Sequence, residues 1–275
     1  MRQKIVTRCI AFLLLLCVLL SAVSCIAEGE RQSTRGEPTG TKPEPQQTEQ
    51  PPTPTPTRKR VALTFDDGPH NIRTTQIVDE LTKYGWHATF FVIGNRVDGG
   101  EYNGKKGLLH AAEAGNEIAI HGYTHSVYYD KCSEETFRQE LSNTEAAIRD
   151  ALPGQKVRLM RPVGGRITES RAAECGYASI LWSVDSEDWM YKYQKGDSDE
   201  VCAGKVNTIV ENVMSKVEEG DIILMHDIYE STYDAVKVIL KRLWDAGFEV
   251  VTVSELFGGT PAAGQIYKYL PVAKG

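Results

Sequence analysis

The sequence predicts an α/β fold, a parallel sheet covered by helices, and two patterns carry that expectation. From Lys59 onward, short β-rich runs alternate with helical stripes, the order that builds parallel sheets. At the end of most β-rich runs stands a small group of Asp, His, Arg or Gly. In α/β sheets the chemistry gathers at the C-terminal ends of the strands. The alternation alone leaves open whether the sheet closes into a barrel.

The runs expected as strands are Val61–Phe65, Ala88–Ile93, Glu117–Ile120, Val157–Met160, Ala178–Trp182, Asp221–Met225 and Glu249–Val253, about seven in all. Between them, Phe137, Leu141, Thr144, Ile148 and Leu152 line one helical face. Ser133 is its expected N-cap, and Glu134 and Glu135 suit the first turn. Ile209, Val210, Val213, Met214 and Val217 form a second stripe after the candidate cap Asn207, and Ala235, Val238, Ile239, Leu243 and Ala246 form a third.

Ahead of these elements, Arg2, Lys4 and Arg8 precede an apolar run from Ile10 to Leu20, with Ser21, Ala22 and Ser24 after it. Residues 1–25 therefore read as an export signal, because the run falls short of the roughly 20 residues a spanning helix needs. Ala22-Val23-Ser24-Cys25 is similar to a bacterial lipoprotein signal, which makes Cys25 a candidate lipid anchor; ordinary cleavage nearby is the alternative. Residues 26–57 read as a disordered linker. From 28 to 57 there is no Val, Ile, Leu, Met, Phe, Trp or Tyr, and seven of the chain's twelve prolines lie there. At about 3.1 Å per residue such a segment reaches up to ~90 Å, which suits a tethered protein. The folded domain is expected over 58–258, with 259–275 as a C-terminal tail.

Charge narrows the partners. The net charge is -6, and without residues 1–25 the balance is 28 Lys and Arg against 37 Asp and Glu, or -9. That sign argues against nucleic acid and anionic membranes, so membrane contact is expected only through the signal or a lipid on Cys25. Cys132, Cys175 and Cys202 remain in the folded part, with no Cys-x-x-Cys pair to suggest a thiolate zinc site. An odd number cannot all pair within the chain.

Five strand-end groups hold the chemistry. Thr64-Phe65-Asp66-Asp67-Gly68-Pro69 ends the first run; alone, Asp-Asp-Gly-Pro is a turn. His121-Gly122-Tyr123-Thr124-His125 ends the third. Two histidines four apart fall on one face of a helical turn, a zinc-chelating spacing, but Gly122 stands where a metalloprotease needs Glu. Arg161-Pro162-Val163-Gly164-Gly165 follows the fourth, and its glycines let the backbone present N–H groups to an anion. Asp185-Ser186-Glu187-Asp188-Trp189 follows the fifth, and Leu224-Met225-His226 ends the sixth.

In this order, the five groups resemble the polysaccharide deacetylase family, also called the NodB-homology domain or carbohydrate esterase family 4, over roughly 58–258. The TFDDGP motif is complete at 64–69, Asp-x-x-Asp-Trp at 185–189 and Leu-x-His at 224–226. The His-(Ser/Thr)-x-x-His motif is met by His121 and His125 but not at Gly122. In the Arg-Pro loop, Val163 replaces a common proline and Gly164 a frequent aromatic. The resemblance implies a distorted (β/α) barrel, a polysaccharide substrate and one divalent metal, usually zinc, with cobalt or another ion as alternatives. It implies Asp67, His121 and His125 as metal ligands, Asp66 as general base supported by Arg161, and His226 as general acid held by Asp188. Gly164 is implied as a backbone donor to the oxyanion, and Trp189 and Leu224 as walls for the acetyl methyl.

Removal of acetyl groups from an N-acetylated polysaccharide, with peptidoglycan N-acetylglucosamine as first choice, is the activity implied for an exported bacterial monomer. An O-acetyl esterase acting on xylan or another acetylated polymer is the near rival. A catalytically inactive, polysaccharide-binding relative is the distant one, disfavoured because Asp66 and His226 are both present. Without a hydroxyl at 122 to brace the metal loop, weaker metal binding is expected. Gly122→Ser is expected to tighten it, provided that φ at 122 is negative.

Overall fold

The computed structural model describes residues 58–270. The expected signal (1–25), the linker (26–57), the candidate anchor Cys25 and the end of the tail beyond 270 lie outside the described residues.

Strand β1 (Lys59–Asp66) is the centre of a sheet. Strand β7 (Ile222–His226) pairs along one side of it. On the other side β8 (Phe248–Val251) pairs with its first half and β2 (Thr89–Val92) with its second. Strands β3 (Glu117–Ile120), β4 (Leu159–Met160), β5 (Ala178–Ile180) and β9 (Ile266–Tyr267) continue outward from β2, and β6 (Val184–Asp185) flanks β7. Every pairing between these strands is parallel. Beyond β9, Tyr269 bridges to Asp221 at the start of β7, so the sheet curls back on itself as a distorted (β/α) barrel.

The seven expected strands are present, and β6 and β9 add to them. Each is two residues long, too short for an alternation to register in sequence. Strand β9 lies in what the sequence suggested was a tail; it belongs to the sheet because Ser179 and Leu181 donate to the carbonyls of Gln265 and Tyr267. The run Val157–Met160 is strand only at Leu159–Met160, where β3 and β5 supply partners.

Helices α1 (Arg73–Thr82), α2 (Gly94–Val97), α3 (Lys105–Glu113), α4 (Glu134–Ala151), α5 (Glu169–Glu174), α6 (Asp199–Met214), α7 (Glu230–Asp245) and α8 (Val253–Leu256) surround the sheet. Helix α4 starts as expected, with the Ser133 hydroxyl accepting from the Thr136 N–H. Helix α6 begins earlier than Asn207: Ser198 caps it, its hydroxyl accepting from the Val201 N–H. In the third stripe Ala235, Ile239 and Leu243 are buried, while Val238 is 38% exposed.

Alternation along β1 divides the core. Val61, Leu63 and Phe65 pack toward the helices, where Phe65 stacks on Phe90 at 5.1 Å. Ala62, with Phe91, Ala119, Leu159, Ala178, Ile180 and Ile222, belongs to the second cluster. The fully buried Arg161 meets this second cluster at Phe91, its guanidinium lying over the ring.

Ile239 on α7 is fully buried, so Ile239→Ala should destabilise the protein by about 2–5 kcal/mol through lost burial and an unfilled cavity. Val238→Ala on the same helix should cost under about 1 kcal/mol. Urea unfolding of the full chain checks both, and equal losses would contradict this packing.

Candidate active site

The site begins where β1 ends. At Asp67 the backbone enters the left-handed region (φ 71°), one of the few places an Asp tolerates it, and the turn sends two adjacent carboxylates to different partners. Asp66 Oδ1 accepts from Arg161 Nη1 at 2.7 Å, while its Oδ2 lies 3.5 Å from His121 Nε2. Asp67 Oδ1 lies 2.9 Å from His125 Nε2 and 3.5 Å from His121 Nε2. The turn is clamped from outside, because the Arg96 guanidinium donates to the Asp67 carbonyl. A Cβ at position 68 would run into the Asp227 carboxylate, so a side chain there would have to displace it.

The two histidines sit on an irregular loop after β3, not on the helical turn their spacing suggested. Gly122 (φ 93°) and His125 (φ 59°) are both left-handed, and the loop brings the ring centroids to 5.6 Å. His121 Nδ1 is 2.9 Å from the Arg161 carbonyl. A carbonyl only accepts, so Nδ1 carries the proton and the Nε2 lone pair faces Asp67. One donor atom each from Asp67, His121 and His125 lies within 4.8 Å of the others.

These residues fit a divalent metal. Asp67 Oδ1 is buried and has no hydrogen-bond donor of its own. Burial pushes the His121 pKa down, against the nearby carboxylates Asp66 and Asp67, and so favours the neutral, ligating imidazole. Burial works to raise the Asp67 pKa, but the His125 contact and the charge of His226 outweigh it and hold the carboxyl well below its usual range. A carboxylate and two imidazoles with room for further ligands is a donor set used by catalytic zinc.

On either side stand Arg161 and His226. The Arg161 side chain is fully buried beneath the site, donating to Asp66, to Thr64 Oγ1 (2.8 Å) and to the Ile180 and Leu181 carbonyls (3.0 and 3.2 Å), with its guanidinium 4.1 Å over the Phe91 ring. His226 Nδ1 meets Asp188 Oδ1 at 2.7 Å, and its backbone N–H donates to Asp188 Oδ2 at 2.8 Å. Thr232 Oγ1 donates to that second oxygen at 2.6 Å. Burial disfavours a charged His226, but the bonded Asp188 carboxylate, reinforced by Asp67 and Asp66, overrides it and pushes the pKa up to about 10.

All the sequence-predicted groups except Arg161 and Asp188, which stand behind Asp66 and His226, line one cleft of about 380 Å³. Leu224 is buried in its wall and Trp189 is half-exposed at its rim. Gly164 (φ 62°) lies in the turn after β4. Tyr128, Trp182 and Tyr229 also line it; isolated surface aromatics carried no signal in sequence. Asp227, which follows His226 at the end of the sixth run, was given no role in sequence. It is fully buried, bonded to the Thr74 hydroxyl, and burial pushes its pKa up to about 7.

One expectation is reversed. With φ at 93°, position 122 strains any side chain, and a Cβ there would approach the Tyr129 hydroxyl to 2.8 Å. Gly122→Ser therefore harms the loop instead of tightening it.

The polysaccharide deacetylase family model matches residues 53–180. The chain is 37% identical over 201 residues to the peptidoglycan-N-acetylmuramic acid deacetylase PdaC of Bacillus subtilis, covering 73% of this chain and 39% of that protein. It is 34% identical over 210 residues to a peptidoglycan-N-acetylglucosamine deacetylase of Bacillus cereus, covering 72% of this chain and 88% of that one. The structure of a family 4 acetyl xylan esterase from Clostridium thermocellum, in complex with a cobalt ion, superposes with a TM-score of 0.66 at 27% identity, covering 78% of this chain and all of that one. The chain belongs to the polysaccharide deacetylase family. It spans about two fifths of the length of PdaC.

The His226–Asp188 pair predicts a titration. In metal-free protein the His226 ring should lose its proton near pH 10, against about 6.5 for a free imidazole. Because the folded value is the higher one, the pair's contribution to stability is complete below about pH 6.5 and disappears as pH rises through 10. NMR titration of the imidazole checks this, and Asp188→Asn should bring the value down by several units.

Proposed function

We propose that this chain is a metal-dependent hydrolase that removes acetyl groups from an N-acetylated cell-wall glycan, with peptidoglycan N-acetylglucosamine as substrate. The observation that supports it most is a set of three potential metal donors, Asp67, His121 and His125, flanked in one cleft by the Arg161-bound Asp66 carboxylate and the Asp188-bonded His226 imidazole. Relatives named as peptidoglycan deacetylases support the polymer, and the one from Bacillus cereus, named for N-acetylglucosamine, supports the sugar.

Asp67, His121 and His125 would hold a divalent metal such as zinc, which would supply Lewis acidity and a lowered pKa for water. The chain's own groups do the rest. Asp66, fixed through Oδ1 by Arg161, takes a proton from the attacking water at Oδ2. The backbone N–H of Gly164 donates to the carbonyl oxygen as it gains charge. His226 gives its Nε2 proton to the leaving nitrogen, and Asp188 holds the ring with Nδ1 protonated. Water oxygen is bonded to the acetyl carbon, the C–N bond breaks, and acetate and a free amine leave. Leu224 and Trp189 shape the space for the methyl group.

The same groups would attack an O-acetyl ester, and the likeness to an acetyl xylan esterase keeps that reading open to test. Under this proposal residues 1–25 hold the export signal, the chain is then either secreted by ordinary cleavage or anchored by a lipid on Cys25, and 26–57 are the linker to a monomeric domain.

Acetate release should be seen from peptidoglycan and N-acetyl-chitooligosaccharides and exceed that from acetylxylan. Asp66→Asn and His226→Ala should each lower turnover by 10²-fold or more while one metal per chain is retained. Turnover that survives chelation, or a preference for acetylxylan, would overturn the respective part of the proposal.

A further inference from the structure

The loop carrying both imidazoles has no hydroxyl at 122, yet its backbone is gripped from two sides. Its carbonyl side rests on the start of α2, where the Gly94 N–H donates to Gly122 and the Asn95 N–H to Tyr123, at 3.0 and 3.1 Å. Its N–H side faces one carboxylate on α4. Glu140 Oε2 accepts from the Tyr123 N–H at 2.6 Å and from the Thr124 N–H at 3.0 Å, and Oε1 accepts from Thr124 Oγ1 at 2.8 Å. The Thr124 hydroxyl, having donated, can accept from Ser126 Oγ at 2.8 Å.

Glu140 is only 6% exposed, beside Phe137, Leu141 and Thr144 on the buried face of its helix, and among the described residues no basic side chain pairs with it. A buried carboxylate without a cation is costly unless donors surround it, and here all the donors come from the metal loop. For packing alone, an apolar side chain would serve better. Position 122 completes the fit: a Cβ there would come 3.2 Å from Glu140 Oε2. A side chain at 122 and this carboxylate compete for the same space.

We infer that Glu140 is a positioning residue for the metal centre, clamping residues 123–124 so that His121 and His125 present their nitrogens together, in place of the hydroxyl that Gly122 lacks. The inference rests on Asp67, His121 and His125 being metal ligands. Groups that orient ligands in this way are worth 10–100-fold in metal affinity.

The test is zinc affinity of the metal-free full chain, measured by competition with a chromophoric chelator, together with the melting temperature of each metal-free form. Glu140→Ala should bind zinc 10–100-fold more weakly. Glu140→Gln keeps an oxygen for the two N–H groups and an amide that can donate to the Thr124 hydroxyl, so it should stay within a few-fold of wild type. Thr124→Val, losing one of the three bonds, should fall between. Affinity of Glu140→Ala within twofold of wild type overturns the inference, whatever its melting temperature. If that variant does not fold, unchanged affinity in Thr124→Val overturns it. Failure of the wild-type chain to bind zinc would remove the metal centre itself, and this inference with it.

Discussion

Everything at the mouth of this barrel depends on sending two neighbouring carboxylates to different partners, and the buried Arg161–Asp66 pair enforces that. The guanidinium is wholly removed from water, which is costly, and it is repaid by Asp66, a hydroxyl, two carbonyls and the Phe91 ring. One oxygen of Asp66 is thereby committed to Arg161, while the left-handed turn at Asp67 swings the next carboxylate toward the imidazoles. Arg161 acts twice, since its backbone carbonyl also fixes the tautomer of His121. One residue just after a two-residue strand thus holds both Asp66 and His121.

The opposite wall follows the same logic with different groups. Asp188 sits fully buried in the turn after β6 and spends both oxygens on His226 and Thr232, leaving the far nitrogen of the imidazole to the cleft. On the metal side, α2 and Glu140 grip the loop from its two polar faces. Charged groups gathered in so small a space hold their positions only because each is fixed by a buried partner behind it.

Much of this was legible in sequence because the chemistry lies at strand ends and the strands alternate with helices. Asp66, Asp67, His121, His125, Arg161 and His226 converge as their motifs implied. What stayed hidden has physical reasons. Strands β6 and β9 are too short to show a period, and β9 gains its identity only from its partner β5. The His-x-x-x-His spacing suggested a helical turn, whereas two left-handed residues bring the rings together in a loop. The sign of φ at Gly122 is set by tertiary contacts, so sequence could not decide what serine would do there. Glu140 did leave a trace, a carboxylate within the buried stripe of α4, but its partners lie 16 and 17 residues away. Only the fold brings them together.

The division of labour between the two aspartates is tested most directly by the crystal structure of the zinc-loaded protein, with the ion located by its anomalous scattering. Asp67, His121 and His125 should lie at about 2.0–2.2 Å from zinc, with Asp66 outside that distance and still bonded to Arg161. Zinc bound directly by Asp66, with Asp67 turned away, would contradict the account.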